Sequence, residues 1–370
     1  MKCPCCYNKA IVSISETYTL QSSKWTSNSS RSTKFFHEPY YCKNCGHIFN
    51  KLLPSQQELN QYYSDQVPHI TEDYNVDKRL DIIKKFSRKK GLKNLIDFGG
   101  NSKVSFHNFL DKDGWKVDIV DVNDSINLKK RNIITSYFVL EHLTKLDETI
   151  NLFYELLTDD GNIIIEVPNS VLYDIDQSGL LYEHQQHFQP SSLEKLFVRH
   201  GFKQCYVSHD KCSRDFGFLS IFEKSKSKVT FSEVNHNVYK NFQIGRKKQI
   251  ALGEYPKLYF DKISNNTKVI VFWGINAYLD QIFSSIDLTS FKIITIDINP
   301  IKKSFVTPKF DFYTPDDFFI NFSKIQGDEI NIDEICFVIT ATEHYNTIKN
   351  QLISITDNIH IFDPIGRIKQ

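Results

Sequence analysis

The chain has 370 residues, 41% of them apolar and 24% charged, and 45 Lys and Arg against 44 Asp and Glu leave a formal net charge of +1. That length supports two or three domains with separate cores, while the near-neutral charge lacks the electrostatic footprint of a protein bound to nucleic acid or an anionic membrane. No run approaches the ~18 apolar residues of a membrane span, and Met1-Lys2-Cys3-Pro4 carries no apolar signal-peptide core, so the expected compartment is the cytoplasm, where thiols stay reduced.

The first feature along the chain is a pair of knuckles, Cys3-Pro4-Cys5-Cys6 and Cys42-Lys43-Asn44-Cys45. Two Cys-x-x-Cys pairs supply the four thiolates of a closed, tetrahedral structural Zn²⁺ site, with Cys3, Cys6, Cys42 and Cys45 as ligands. Gly46 follows where the second knuckle must turn, and Pro4 stiffens the first. Adjacent cysteines rarely share one metal, so Cys6 rather than Cys5 takes the fourth position. Two disulfides or free core thiols are the competing reading.

Pro54 followed by helix formers predicts a short helix ending at the aromatic pair Tyr62-Tyr63, and a charged helix is expected across 77–90 with Leu80, Ile83 and Phe86 facing a core. From Asn94 short apolar runs alternate with amphipathic stretches: strands at 95–98, 117–121, 133–139 and 161–168, helices at 147–157 and 191–200, and a further strand from Phe202. This alternation predicts parallel βαβ units, hence a doubly wound sheet. A Lys-, Ser- and Asn-rich linker begins near Lys224, helix is expected over 239–263, and a second βαβ series occupies 269–362. The expected domains are 1–70 (zinc-binding domain and linker helix), 71–225 (the first α/β module) and 226–370 (helical linker and a Rossmann-like α/β domain).

The first module has the logic of a nucleoside-cofactor site. Asp97-Phe98-Gly99-Gly100-Asn101 closes one strand with a glycine turn, and Asp121-Val122 ends the next, where a carboxylate can accept both ribose hydroxyls. The three-glycine spacing that brings a pyrophosphate onto a helix N-terminus is missing, because Lys103 and Ser105 stand where small residues are needed. S-adenosylmethionine, which carries no phosphate, asks less of the turn. The interval from Asn123 to Asn132 has room for little more than a turn.

Phe138-Val139-Leu140-Glu141-His142-Leu143, followed by Leu156 to Asn169 (LLTDDGNIIIEVPN), resembles class I S-adenosylmethionine-dependent methyltransferases. Leu181-Tyr182-Glu183-His184-Gln185-Gln186-His187-Phe188, then Ser191 to Phe197 and Gly201-Phe202, narrows the resemblance to the bacterial nucleotide-sugar C-methyltransferases. Members of that family join an N-terminal zinc-binding domain, a methyltransferase domain and a C-terminal α/β domain. The elements Val271 to Ala277, Asp297 to Lys303 and Phe362 to Ile365 resemble its last part. The resemblance implies a class I methyltransferase fold with an N-terminal zinc ribbon and a second Rossmann-like domain. It further implies S-adenosylmethionine as cofactor and C-methylation of a nucleoside-diphosphate keto-deoxysugar through an enolate.

On that resemblance His184 is the base, Glu183 orients it, Tyr182 is a hydrogen-bond donor and His142 points toward the sugar. Asp97, Gly99, Gly100, Asn101, Asp121, Val122 and Glu141 contact the cofactor, and Tyr62 and Tyr63 contact the substrate. His184 and His187, at i and i+3, are also spaced as metal ligands, but the sequence places no third ligand beside them. O- or N-methylation of another glycan precursor, or a catalytically silent binding protein of the same build, are the alternatives.

Overall fold

A computed structural model of the chain describes residues 1–14, 18–21, 34–51, 76–87, 93–100, 105–121, 129–176, 179–180, 184–225, 231–247, 266–275, 279, 282–283, 286–305, 310–326, 331–341, 344–354 and 360–362. Residues 1–20, 35–56 and 71–246 make one unit, and residues 21–34, 57–70 and 247–370 make a second. Among the described residues no helix is long and apolar enough to cross a membrane.

In the first unit the N-terminal strands are β1 (Ile11–Ser13), β2 (Tyr18–Gln21), β3 (Lys34–His37), β4 (Pro39–Cys42) and β5 (Ile48–Asn50). β2 and β3 pair with each other, while β1, β4 and β5 form an antiparallel sheet. The methyltransferase-like portion supplies helix α1 (Val76–Ser87), β6 (Asn94–Phe98), α2 (Ser105–Lys112), β7 (Lys116–Val120), β8 (Arg131–Tyr137), α3 (Leu146–Leu156) and β9 (Leu157–Pro168). After these come β10 (Gln186–His187), α4 (Pro190–Arg199), β11 (Phe202–Ser208) and β12 (Gly217–Lys224).

The main sheet runs β11-β12-β9-β8-β6-β7, with β7, β6, β8 and β9 parallel and β12 antiparallel to both its neighbours. It is therefore a mixed sheet rather than the all-parallel one that the strand–helix alternation suggests. Gly217 to Lys224, where the sequence signals no strand, is the chain that reverses. Its alternation is hidden because Gly217 to Phe222 is buried without a break. Among the described residues β7 is the edge next to β6, in keeping with the short interval after Asp121.

Burial explains the order. Ile163, Ile164 and Ile165 of β9 are fully buried, as a central strand covered on both faces requires. On α3, Leu146, Ile150, Phe153 and Leu156 recur at helical spacing, and Phe153 meets Phe98 of β6 edge-on at 5.0 Å. Helix α3 passes into β9 with no intervening loop, since Leu157 already has an extended backbone. Helix α4, expected over 191–200, starts at Pro190, and Ser192 Oγ accepts from the Gln189 N–H at 3.0 Å.

The second unit carries β13 (Val269–Trp273), β14 (Lys292–Ile296), β15 (Asp311–Tyr313), α5 (Pro315–Gln326), β16 (Ile335–Ile339), α6 (Tyr345–Ile353) and β17 (His360–Phe362). Its sheet, β15-β14-β13-β16-β17, is parallel throughout. Val269 to Trp273 and Ile335 to Ile339 are buried end to end, the pattern of strands covered on both faces. The helix expected over 239–263 is present over 238–247, and its remainder lies outside the described residues.

Candidate active site and thiolate cluster

Strand β6 lies between β7 and β8, so the chain leaves it first to one side and later to the other. The carboxyl end of such a strand is a topological switch point, where open α/β sheets bind ligands. Gly99 ends it with φ +75° and donates its N–H to the Val120 carbonyl at 2.7 Å, which sets the turn of β6 against the end of β7. A side chain at Gly99 would collide with Val139, and one at Gly100 with the Asp97 carboxylate. Asp97 is buried and committed to the scaffold: it accepts from Thr135 Oγ1 at 2.6 Å and lies 2.8 Å from His107 Nε2. Asp121, by contrast, is exposed just beyond β7. Asn101 and Val122 lie outside the described residues.

On the other side of β6, the end of β8 carries Phe138 in a left-handed conformation, φ 57°, which a non-glycine residue adopts only where its surroundings hold it. The Phe138 N–H donates to the Glu166 carbonyl on β9 at 2.8 Å, and the guanidinium of Arg214 lies 5.0 Å from its ring centroid. This kink delivers a single 3₁₀ turn, Leu140–His142, anchored by the fully buried Leu140. Glu141 is 1% exposed, and its Oε1 lies 3.9 Å from His142 Nε2 and 4.0 Å from His184 Nε2. The two imidazoles meet edge to face with centroids 4.7 Å apart. The neighbours Glu141 and His142 thus meet the distant His184 at one point, where Glu141 and His184 are buried and His142 is half-buried.

His184 is oriented from behind. The Gly179 carbonyl can only accept, so the 2.9 Å contact with His184 Nδ1 places a ring proton on Nδ1 and turns Nε2 toward Glu141. The residues that follow are tied on several sides. Gln185 Oε1 accepts from Asn50 Nδ2 at 3.1 Å, β10 pairs antiparallel with β5, and Gln186 Nε2 donates to the Leu143 carbonyl at 3.1 Å, just past the 3₁₀ turn. His187 Nδ1 lies 2.9 Å from the Tyr173 hydroxyl, so it belongs to this support rather than to the Glu141 cluster. Sequence reasoning missed Asn50, Tyr173, Gln185 and Gln186 as positioning residues; alternating polar residues inside an otherwise buried stretch were the available signal. Tyr182, Glu183, Tyr62 and Tyr63 lie outside the described residues.

The four knuckle cysteines converge. Cys3 and Cys45 sulfurs are 3.5 Å apart, Cys6 and Cys42 3.6 Å, and all four lie within 4.8 Å of one another without a disulfide. A tetrahedral zinc with bonds of about 2.3 Å separates its sulfurs by about 3.8 Å, so this donor set fits that ion. Crowding divides the thiols: hydrogen bonds from Cys3, Cys42 and Cys45 make Cys6 the acidic member, while Cys45 is pushed well up, first by its hydrogen bond with Cys3. A divalent cation would let all four ionise. Cys5 is buried outside the four-sulfur group yet hydrogen-bonds Cys3, and burial pushes its thiol up. His47 is also apart, hydrogen-bonded through Nε2 to Gln186 Oε1 at 2.9 Å and held at about 4 by burial. Ser191 Oγ donates to the Cys45 carbonyl at 3.1 Å, so the knuckle and helix α4 brace each other.

Residues 70–207 match the family described as a methyltransferase domain. No curated protein matches the sequence. Among solved structures, the chain is similar to 1,6-didemethyltoxoflavin-N1-methyltransferase from Burkholderia thailandensis, with 13% identity and a TM-score of 0.35 over 51% of this chain and 99% of that one. It is also similar to the CcbJ methyltransferase from Streptomyces caelestis, with 11% identity and a TM-score of 0.33 over 45% and 95% of the two chains. A SAM-dependent methyltransferase from Archaeoglobus fulgidus follows at 17% identity and 0.31 over 39% and 94%. The family match falls on the strands and helices that build the switch point. Residues 70–207 thus carry a methyltransferase domain, built on a class I α/β fold.

Proposed function

We propose that the enzyme methylates a carbon beside the ketone of a nucleoside-diphosphate keto-deoxysugar, with His184 as the base. The observation that carries this reading is the fixed orientation of His184: Nδ1–H is held by the Gly179 carbonyl, and Nε2 faces a buried carboxylate at 4.0 Å. A base so placed can take the α-proton, and the imidazolium it becomes is stabilised by Glu141. The Gly99-Gly100 turn and Asp121 would hold the cofactor, the carboxylate accepting from the ribose hydroxyls. Bound S-adenosylmethionine supplies an electrophilic methyl on a sulfonium, which leaves its electron pair on sulfur when the enolate carbon attacks. The resemblance to the sugar C-methyltransferases supports the substrate class, and the thiolate cluster would carry structural zinc.

The test is α-hydrogen exchange. With a nucleoside-diphosphate keto-sugar and S-adenosylhomocysteine in D₂O, the wild type should place deuterium beside the ketone. His184→Asn should not, and its turnover should fall by roughly 10²–10⁴-fold. Equal deuterium uptake and turnover in both would remove His184 from the mechanism. Methyl transfer to oxygen or nitrogen without exchange would favour a heteroatom acceptor on a glycan precursor. Absence of cofactor binding at millimolar concentration would instead favour a silent binding protein.

A further inference from the structure

Glu141 Oε1, His142 Nε2 and His184 Nε2 all lie within 4.8 Å of one another. His184 Nε2 faces the carboxylate oxygen while Nδ1–H is held by a carbonyl, so the space between them suits a positive charge. One proton on His184 would serve for those two groups alone. The second histidine brings a third donor atom to the same point, which a shared proton does not require. Two imidazole nitrogens and one carboxylate oxygen are ligands of borderline transition metals such as Zn²⁺ and Co²⁺, and differ from the all-oxygen sets that hold Mg²⁺ or Ca²⁺.

The surroundings are those of a ligating histidine. His184 donates its other ring N–H to a backbone carbonyl, the outer contact that fixes tautomer and ring orientation in metal sites. That carbonyl also accepts from the Tyr173 hydroxyl at 3.2 Å, and Tyr173 is itself buried. Glu141 and His142 sit on the 3₁₀ turn that the left-handed Phe138 aims. His187, the partner that spacing alone would give His184, is instead engaged with Tyr173.

We propose that Glu141, His142 and His184 form a second metal site, distinct from the four-thiolate cluster, that binds one divalent transition-metal cation. Three protein ligands leave a coordination position for an oxygen donor, the keto, enolate or hydroxyl oxygen of an acceptor. The inference goes beyond the base assignment and competes with it for one lone pair. A cation at Nε2 would hold substrate oxygen, whereas without it Nε2 would take the proton.

Cobalt distinguishes the two sites in the full chain. After saturation of the thiolates with zinc and dialysis, Co²⁺ titration should add about one further ion per chain, with visible d–d absorption and no thiolate charge-transfer band. Glu141→Gln, nearly isosteric, and separately His142→Asn should weaken that uptake by about 100-fold or more while keeping the thiolate-bound zinc. Circular dichroism checks that each variant is folded. Two outcomes overturn the proposal: no cobalt uptake by the wild type beyond the thiolate site, or the same uptake in both variants. If cobalt fails to bind while His184→Asn abolishes α-hydrogen exchange, the base assignment stands alone; if cobalt binds as expected and exchange does not depend on His184, the metal site stands without it.

Discussion

Both α/β sheets follow one pattern, an apolar strand, a glycine turn and a second strand ending in an acid, yet their acids have different fates. In the first unit Asp121 is exposed beyond β7, while the scaffold around the turn is secured by a different acid, Asp97, through Thr135 and His107. In the second unit Asp297 is buried: it accepts from the Ile275 N–H at 2.7 Å and Lys302 Nζ at 2.9 Å through Oδ2, and from the Asn299 N–H at 2.9 Å through Oδ1. The acid of the second unit therefore occupies the glycine turn that a nucleoside would need. A strand-end acid identifies an α/β module; only its neighbours decide whether it is available to a ligand.

The largest effect that would sharpen the contrast comes from the four-cysteine cluster of the first unit. Structural zinc contributes about 10–16 kcal/mol in small zinc domains. Chelation, or Cys45→Ser, should release about one zinc per chain and lower the melting of the first unit while sparing that of the second. Metal analysis with calorimetry checks this; unchanged zinc in the variant would exclude Cys45 as a ligand. Next, Asp297→Ala should cost the second unit about 3 kcal/mol, since a buried carboxylate and its three partners are separated. The same variant should leave S-adenosylmethionine affinity untouched. Denaturant titration and cofactor calorimetry read the two quantities, and weakened cofactor binding would break the contrast.

Asp121→Ala should do the reverse. It should leave stability nearly unchanged and weaken S-adenosylmethionine by about 2 kcal/mol or more, through loss of two charge-assisted hydrogen bonds to the ribose. Full affinity in that variant would show that this acid, like Asp297, does not hold a nucleoside. The smallest effect is expected from Gly99→Ala, which forces a side chain into φ +75° against Val139. Side-chain relaxation should limit the cost to about 1 kcal/mol, at the low end for such strain, measurable as a shift in the denaturant midpoint.

Much of the site's framework was legible in the linear chain, and much of its geometry was not. The cysteine pairs could be read because a tetrahedral site needs two knuckles of fixed local spacing, and Gly99 because a turn after a buried strand needs a positive φ. Glu141 and His142 stood out as a dipeptide after β8, but their orientation depends on the Phe138 kink. Gln185 and Gln186 showed only as a polar run, and their roles stayed hidden because their partners Asn50 and Leu143 come from distant segments.

The sequence by itself determined the α/β alternation, the two cysteine knuckles and the missing room after Asp121, because periodicity and short-range spacing are local consequences of backbone geometry. Tertiary structure alone decided that β12 runs antiparallel, that Asp297 closes its own turn, and that His184 meets Glu141 and His142 rather than His187. Those outcomes depend on which distant surfaces are buried together and on which donors remain to satisfy a buried acceptor, and neither is encoded in the spacing of neighbouring residues.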